Sequence, residues 1–173
     1  MSQLSSLSFT SSIDSSLLVR DVAGSYRPAE PAEVLQAALR VLAGQLRGTE
    51  MLSSPQAVRD FLRIKLGTLE HEVFAVIHLD AQHRVIEYVE MFRGTVTQTS
   101  VYPREVVKEA MAHNTAAIVL VHNHPSGVAE PSRADEHLTQ TLKSALSLVD
   151  VRVIDHLIVA GPTILSVAER GLI

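Results

Sequence analysis

The sequence predicts a mixed α/β (α+β) domain, a β-sheet flanked by helices, and three observations carry that prediction. Apolar residues recur at helical spacing in some stretches. Other stretches are short, continuous apolar runs rich in β-favouring types. The two kinds alternate along the chain, as they must where strands and helices pack into layers. At 173 residues and 46% hydrophobic content, the chain can bury a substantial core in one domain plus a modest extension.

Eight of the first sixteen residues are serine, and MSQLSSLSFTSSIDSS holds no sustained period of 2 or 3.6. A disordered, Ser-rich arm is therefore expected over residues 1–27. From Pro31, Leu35, Leu39, Leu42 and Leu46 form one apolar stripe on an amphipathic helix, placing a helical extension over residues 28–53. Such a stripe can cap the domain or pair with a second copy, so a homodimer stays open. Ser54 as N-cap and Pro55 at the first helical position start the next helix, the beginning of a domain over 54–173. Val58, Phe61, Leu62 and Leu66 share its inner face and Gly67 ends it.

The pattern then changes. EVFAVIHLD (72–80) is apolar on both faces, as in a strand buried within a sheet. RVIEYVEMFRGTV follows as its hairpin partner across a turn at Ala81 and Gln82. Pro103 opens a helix carrying Val106, Val107, Ala110 and Met111, and AAIVLV (116–121) returns as a strand ending at two histidines. A long helix from Arg133 to Val149 follows, with Leu138, Leu142, Ala145 and Val149 inward. VRVIDHLIVAG and TILSVAE read as closing strands.

Composition narrows the chemistry. A formal charge of -4 gives no electrostatic case for an obligatory nucleic-acid partner. With no cysteine there is neither a disulfide framework nor a Cys-based zinc site, so any metal is held by nitrogen and oxygen. The apolar runs are far shorter than the roughly 20 residues of a membrane helix, and no basic region precedes an apolar stretch at the N-terminus. A cytoplasmic protein without a membrane partner is expected.

His122 and His124, two apart on a strand end, project from the same side of the sheet. Asp135 comes eleven residues later at a helix start, and the turn-rich PSGVAEPSR between them folds the chain back. Ser126 and Gly127 shape that loop. Two imidazoles and one carboxylate make a three-ligand site with a fourth tetrahedral position for water. The same ligand set also suits Fe(II) in non-haem oxygenases. Ser132 and Asp135 equally match a capping box, so helix cap and metal ligand compete as readings of Asp135.

The string H-x-H, seven residues, Ser, two residues, Asp, filled here by His122, His124, Ser132 and Asp135, is similar to the JAMM signature of MPN (JAB) metalloproteases. FRGT (92–95), YPREVV (102–107), VHNHPSG (121–127) and DHLIV (155–159) resemble the RadC branch of that superfamily, from about Ser54 to the C-terminus. The resemblance implies an MPN/JAB-like curved mixed β-sheet flanked by helices. It implies one Zn2+ per chain on His122, His124 and Asp135, with Ser132 steadying the tetrahedral intermediate. It further implies an upstream glutamate as general acid/base. Glu72, preceding a short apolar run, fits that glutamate, with Glu70 and Glu90 as competitors. A peptide or protein substrate, cut at a peptide or isopeptide bond, follows.

Two alternatives accompany this reading: a DNA-repair-associated or nucleic-acid-processing protein, and a non-catalytic module stabilised by its metal. RadC proteins commonly begin with a helix-hairpin-helix region. Residues 1–53 offer only Gly24, Gly44 and Gly48 for its turns, so that region is expected to be missing. Of the remaining histidines, His156 beside Asp155 is the pair placed to orient a ligand from behind. Arg93 and Arg104 are candidate substrate contacts.

Overall fold

The computed structural model describes residues 17–51, 55–95 and 100–173. The expected cap at Ser54 lies outside them. Two compact units are present, one ending at Ala38 and one running from Leu39 to Ile173.

In the first unit, β1 (Leu18–Arg20) and β2 (Tyr26–Pro28) pair antiparallel, Val19 opposite Arg27. Asp21 builds the turn between them, its Oδ1 accepting the amides of Ala23 and Ser25 at 2.9 Å each. The element-free arm expected over residues 1–27 therefore does not extend through 18–27, where local side-chain acceptors hold a hairpin. Helix α1 spans Pro31–Leu46.

The second unit contains a five-stranded sheet in the order β4-β3-β5-β6-β7. Its strands are β3 (Val73–Leu79), β4 (Val85–Arg93), β5 (Ala117–Asn123), β6 (Arg152–Ala160) and β7 (Thr163–Ser166). Helices α2 (Pro55–Leu66), α3 (Pro103–Ala112) and α4 (Arg133–Ser147) flank it. Every neighbouring pair is antiparallel except β5 and β6, which are parallel and joined through α4. The mixed α/β (α+β) class and the flanked mixed sheet are what the sequence predicts.

β3 and β5 are buried along their whole lengths, so residues on both faces are apolar and alternate between two cores. Val73, Ala75, Ile77, Val119 and Val121 pack with Val58, Phe61, Leu62 and Leu66 of α2 and with Leu46. Phe74, Val76, Ile118 and Leu120 pack on the other face with Val106 and Ala110 of α3 and with Leu142 and Leu146 of α4. Leu39 and Leu42, partly buried, pack against the first core. Residues 47–51 add to the second unit through bridges from Arg47 to Val85 and Glu50 to Arg84.

Boundaries follow local chemistry. The β3–β4 turn is set by Asp80, whose Oδ1 accepts the amides of Gln82 and Arg84, with His83 at φ 58. Gly67 ends α2 in a crowded place: a Cβ there would meet the carbonyls of Arg63 at 2.5 Å and Gly161 at 2.7 Å. α4 stops at Ser147, short of the expected Val149, and its innermost residues are Thr139, Leu142 and Leu146. These lie on the same stripe as Asp135, so the face that packs the core also delivers that carboxylate. Among the described residues no helix is long and apolar enough to cross a membrane.

Candidate metal centre

His122 and His124 stand at the end of β5, where it meets the start of α4, the carboxyl end of a parallel strand, where open α/β sheets place ligands. His122 Nε2 lies 2.8 Å from His124 Nε2. Asp135 Oδ1 is 3.4 Å from the former and its Oδ2 3.5 Å from the latter. One donor atom from each residue thus faces a common point.

Each histidine's other nitrogen is occupied. His124 Nδ1 donates to the Val128 carbonyl at 2.7 Å. That contact closes a loop in which the Gly127 amide donates to the His124 carbonyl and Gly127 adopts φ 78, a conformation that suits glycine. His122 Nδ1 lies 2.7 Å from His156 Nε2. With both Nδ1 atoms engaged, the two Nε2 atoms converge beside a carboxylate, an arrangement that needs a proton or a cation between the nitrogens. Zinc bonds of about 2.0–2.1 Å at a tetrahedral angle set neighbouring ligand atoms roughly 3.4 Å apart. Each nitrogen has a carboxylate oxygen at about that spacing, the nitrogen pair is tighter, and one ligand atom from each residue lies within 4.8 Å of the others, a nitrogen and oxygen donor set compatible with a metal ion.

Asp135 arrives through the helix cap. Ser132 Oγ accepts the Asp135 amide at 3.2 Å, and Asp135 Oδ2 accepts the Ser132 amide at 2.7 Å and its hydroxyl at 2.6 Å. The same carboxylate thus caps α4 and approaches both histidines. Burial works against the ionised Asp135, yet the hydrogen bond from His124, the charge of His122 and the bonds from Ser132 hold its pKa well below the usual carboxylate range. Burial depresses His122 to about 4 despite the pull of Asp135. His124 is raised, chiefly by its hydrogen bond to Asp135 and least by the charge of Glu72.

A model of the RadC-like JAB domain matches residues 52–172. The chain belongs to the RadC-like JAB domain family. A UPF0758 protein of Leptothrix cholodnii is 61% identical over 150 residues, 87% of this chain and 68% of the relative. One from Methylibium petroleiphilum is 60% identical over the same shares. A third, from Variovorax paradoxus, is 53% identical over 156 residues, covering 90% of this chain and 69% of the relative.

Within this JAB domain the glutamates separate. Glu72 directly precedes β3, whose Phe74 pairs with His122, and its charge is among the influences that raise His124. The Glu72 amide and carbonyl bond to Thr95 and Gly94, each at 2.8 Å. Glu70 is exposed, and Glu90 is held 2.8 Å from Lys65. Arg93 is exposed and Arg104 pairs loosely with Glu105 at 3.9 Å; neither belongs to the cluster.

The expected Asp155–His156 pair is not what the structure shows. His156 does stand behind His122, but Asp155 binds the Ser166 hydroxyl at 2.7 Å and the Ala168 amide at 3.0 Å. Its carboxylate lines a cavity with Val58, Arg59 and Val119 on the opposite side of the sheet. His156 meets Thr139 instead, Oγ1 to Nδ1 at 2.7 Å. Thr139 lies one helical turn after Asp135, a spacing that marks it in the sequence as sharing Asp135's face. Asn123 also goes unmarked there: its side chain accepts the Val73 amide and donates to the His71 carbonyl.

A second group, His78, Glu109 and His113, also brings metal-type side chains together. Its two imidazoles stack, centroids 4.5 Å apart and planes 11° from parallel. Imidazole lone pairs lie in the ring plane, so parallel stacked rings do not point at one ion.

Proposed function

We propose that this chain is a zinc-dependent hydrolase of the JAMM type that cleaves an amide, in a peptide or isopeptide bond. The observation supporting it is the convergence of the His122 and His124 Nε2 atoms and the Asp135 carboxylate on one point, with both Nδ1 atoms committed elsewhere. Three ligands leave an open coordination position, the arrangement of a catalytic rather than a structural zinc site. A zinc ion held there supplies Lewis acidity to a carbonyl and lowers the pKa of its water from about 15.7 to about 7.

The chain's own residues supply the rest. Glu72, on the His124 side of the cluster, accepts the proton from water and returns it to the leaving amine. Ser132 holds Asp135 Oδ2 through its amide and hydroxyl, and to steady the substrate oxyanion its exposed hydroxyl turns from Asp135 and donates to that oxygen instead. The test is a peptide and isopeptide library screened with wild type, Glu72→Gln and Asp135→Ala, with bound metal quantified in each. Glu72→Gln is expected to keep zinc and lose turnover by about 10²–10⁴-fold, the usual contribution of a general base. Full turnover in that variant, or iron rather than zinc in protein purified without added metal, sinks the reading.

A further inference from the structure

We propose that Thr139 and His156 form a positioning relay that fixes which nitrogen of His122 carries hydrogen, holding the His122 Nε2 lone pair toward the cation. The inference rests on the reading of His122 as a metal ligand, and it concerns residues outside the ligand set.

The direction of each hydrogen bond follows from the one before it. Thr139 Oγ1 lies 2.6 Å from the Asp135 carbonyl, which can only accept, so the hydroxyl hydrogen is spent there. The hydroxyl oxygen can then only accept from His156 Nδ1, 2.7 Å away. His156 is fully buried, with the edge-on Phe74 ring 6.2 Å away by centroids, and burial disfavours a charged imidazole. A neutral ring with its hydrogen on Nδ1 presents a lone pair at Nε2. His122 Nδ1, 2.7 Å from that lone pair, must donate. His122 Nε2 is left bare, facing His124 and Asp135.

The relay starts on Asp135 and ends on His122, two of the three proposed ligands. It also links all three elements involved: Thr139 on α4, His156 on β6, His122 on β5. His124 needs no such chain, because the nearby Val128 carbonyl does the same work in one step. His122 is only 6% exposed, so water cannot substitute for a missing partner behind it.

Imidazole ¹⁵N–¹H NMR of the metal-free full chain, labelled at histidine, reads the tautomers directly. His122 and His156 should both carry hydrogen on Nδ1. Thr139→Val removes the acceptor while keeping the shape. It should move hydrogen to Nε2 of His156 and, in turn, of His122, weakening zinc binding about 10- to 100-fold by chelator competition. Thr139→Ser, which restores the hydroxyl, should return both tautomers and affinity to wild type. An Nε2–H tautomer at His122 in the wild type overturns the relay. So does a folded Thr139→Val protein with unchanged tautomers and zinc affinity. Absence of hydrolysis with the expected tautomers would count against the proposed reaction alone.

Discussion

Asn123 Oδ1 accepts the backbone amide of Val73 at 2.7 Å, tying the residue between the two cluster histidines to the start of the strand that follows Glu72. Asn123 Nδ2 adds a bond to the His71 carbonyl at 3.0 Å, so both ends of its amide are used on the chain flanking Glu72. Asn123→Ala leaves the Val73 amide buried without this acceptor. A stability loss of about 1–3 kcal/mol is expected, the cost of stranding such a group. Urea unfolding of the two proteins measures it, and an unchanged midpoint removes the clamp from the account.

Ser132 caps α4, and its loss affects helix and cluster together. Ser132→Ala should cost about 1 kcal/mol, within the roughly 0.5–2 kcal/mol range for such caps. Ser132→Thr, which keeps the hydroxyl, should recover most of it. Unfolding both variants with a chelator present separates the cap from any effect of bound metal.

Metal should stabilise the folded chain by mass action. Adding zinc at about 100 times its dissociation constant raises stability by about 2.7 kcal/mol for a ligand that binds only the native state. Thermal melts of wild type should therefore climb with zinc concentration and fall back with chelator, whereas Asp135→Ala should melt at one temperature throughout. A wild-type melt indifferent to zinc contradicts the three-ligand assignment.

Acid should weaken the fold through His78. Burial, helped by the neighbouring His113, depresses its pKa from 6.5 to about 4. Between those two values the unfolded chain takes up a proton that the folded chain refuses, so stability rises with pH there. The contribution is complete above about 6.5 and is lost as pH falls through about 4. Urea midpoints of the metal-free protein should show a shallower slope across this window in His78→Phe than in wild type; equal slopes would refute the assignment.

Much of this was legible in the primary structure because it rests on short-range periodicity. The continuous apolar runs at 73–79 and 117–123 announced strands buried on both faces, and the two-residue spacing of His122 and His124 put both imidazoles on one side. The Ser132–Asp135 spacing announced a helix start. Less was visible where a side chain bonds to something distant in sequence: Asn123 serves the chain fifty residues earlier, which no local pattern records.

Asp155 and His156 show most plainly where local reading stops. Residue types alone set the metal-type side chains, the strands and the helix that carries Asp135. Which of these two neighbours faces the cluster was decided by a single register shift. Ile118 pairs with Val153 but Val119 pairs with Asp155, so one residue of β6 is extra. Beyond that bulge His156, not Asp155, lies beside Leu120 and on the His122 face. Side chains alternate with a period of two, so one inserted residue exchanges the faces of all that follow. That insertion exists only in the pairing of two strands, and it puts an imidazole rather than a carboxylate behind His122.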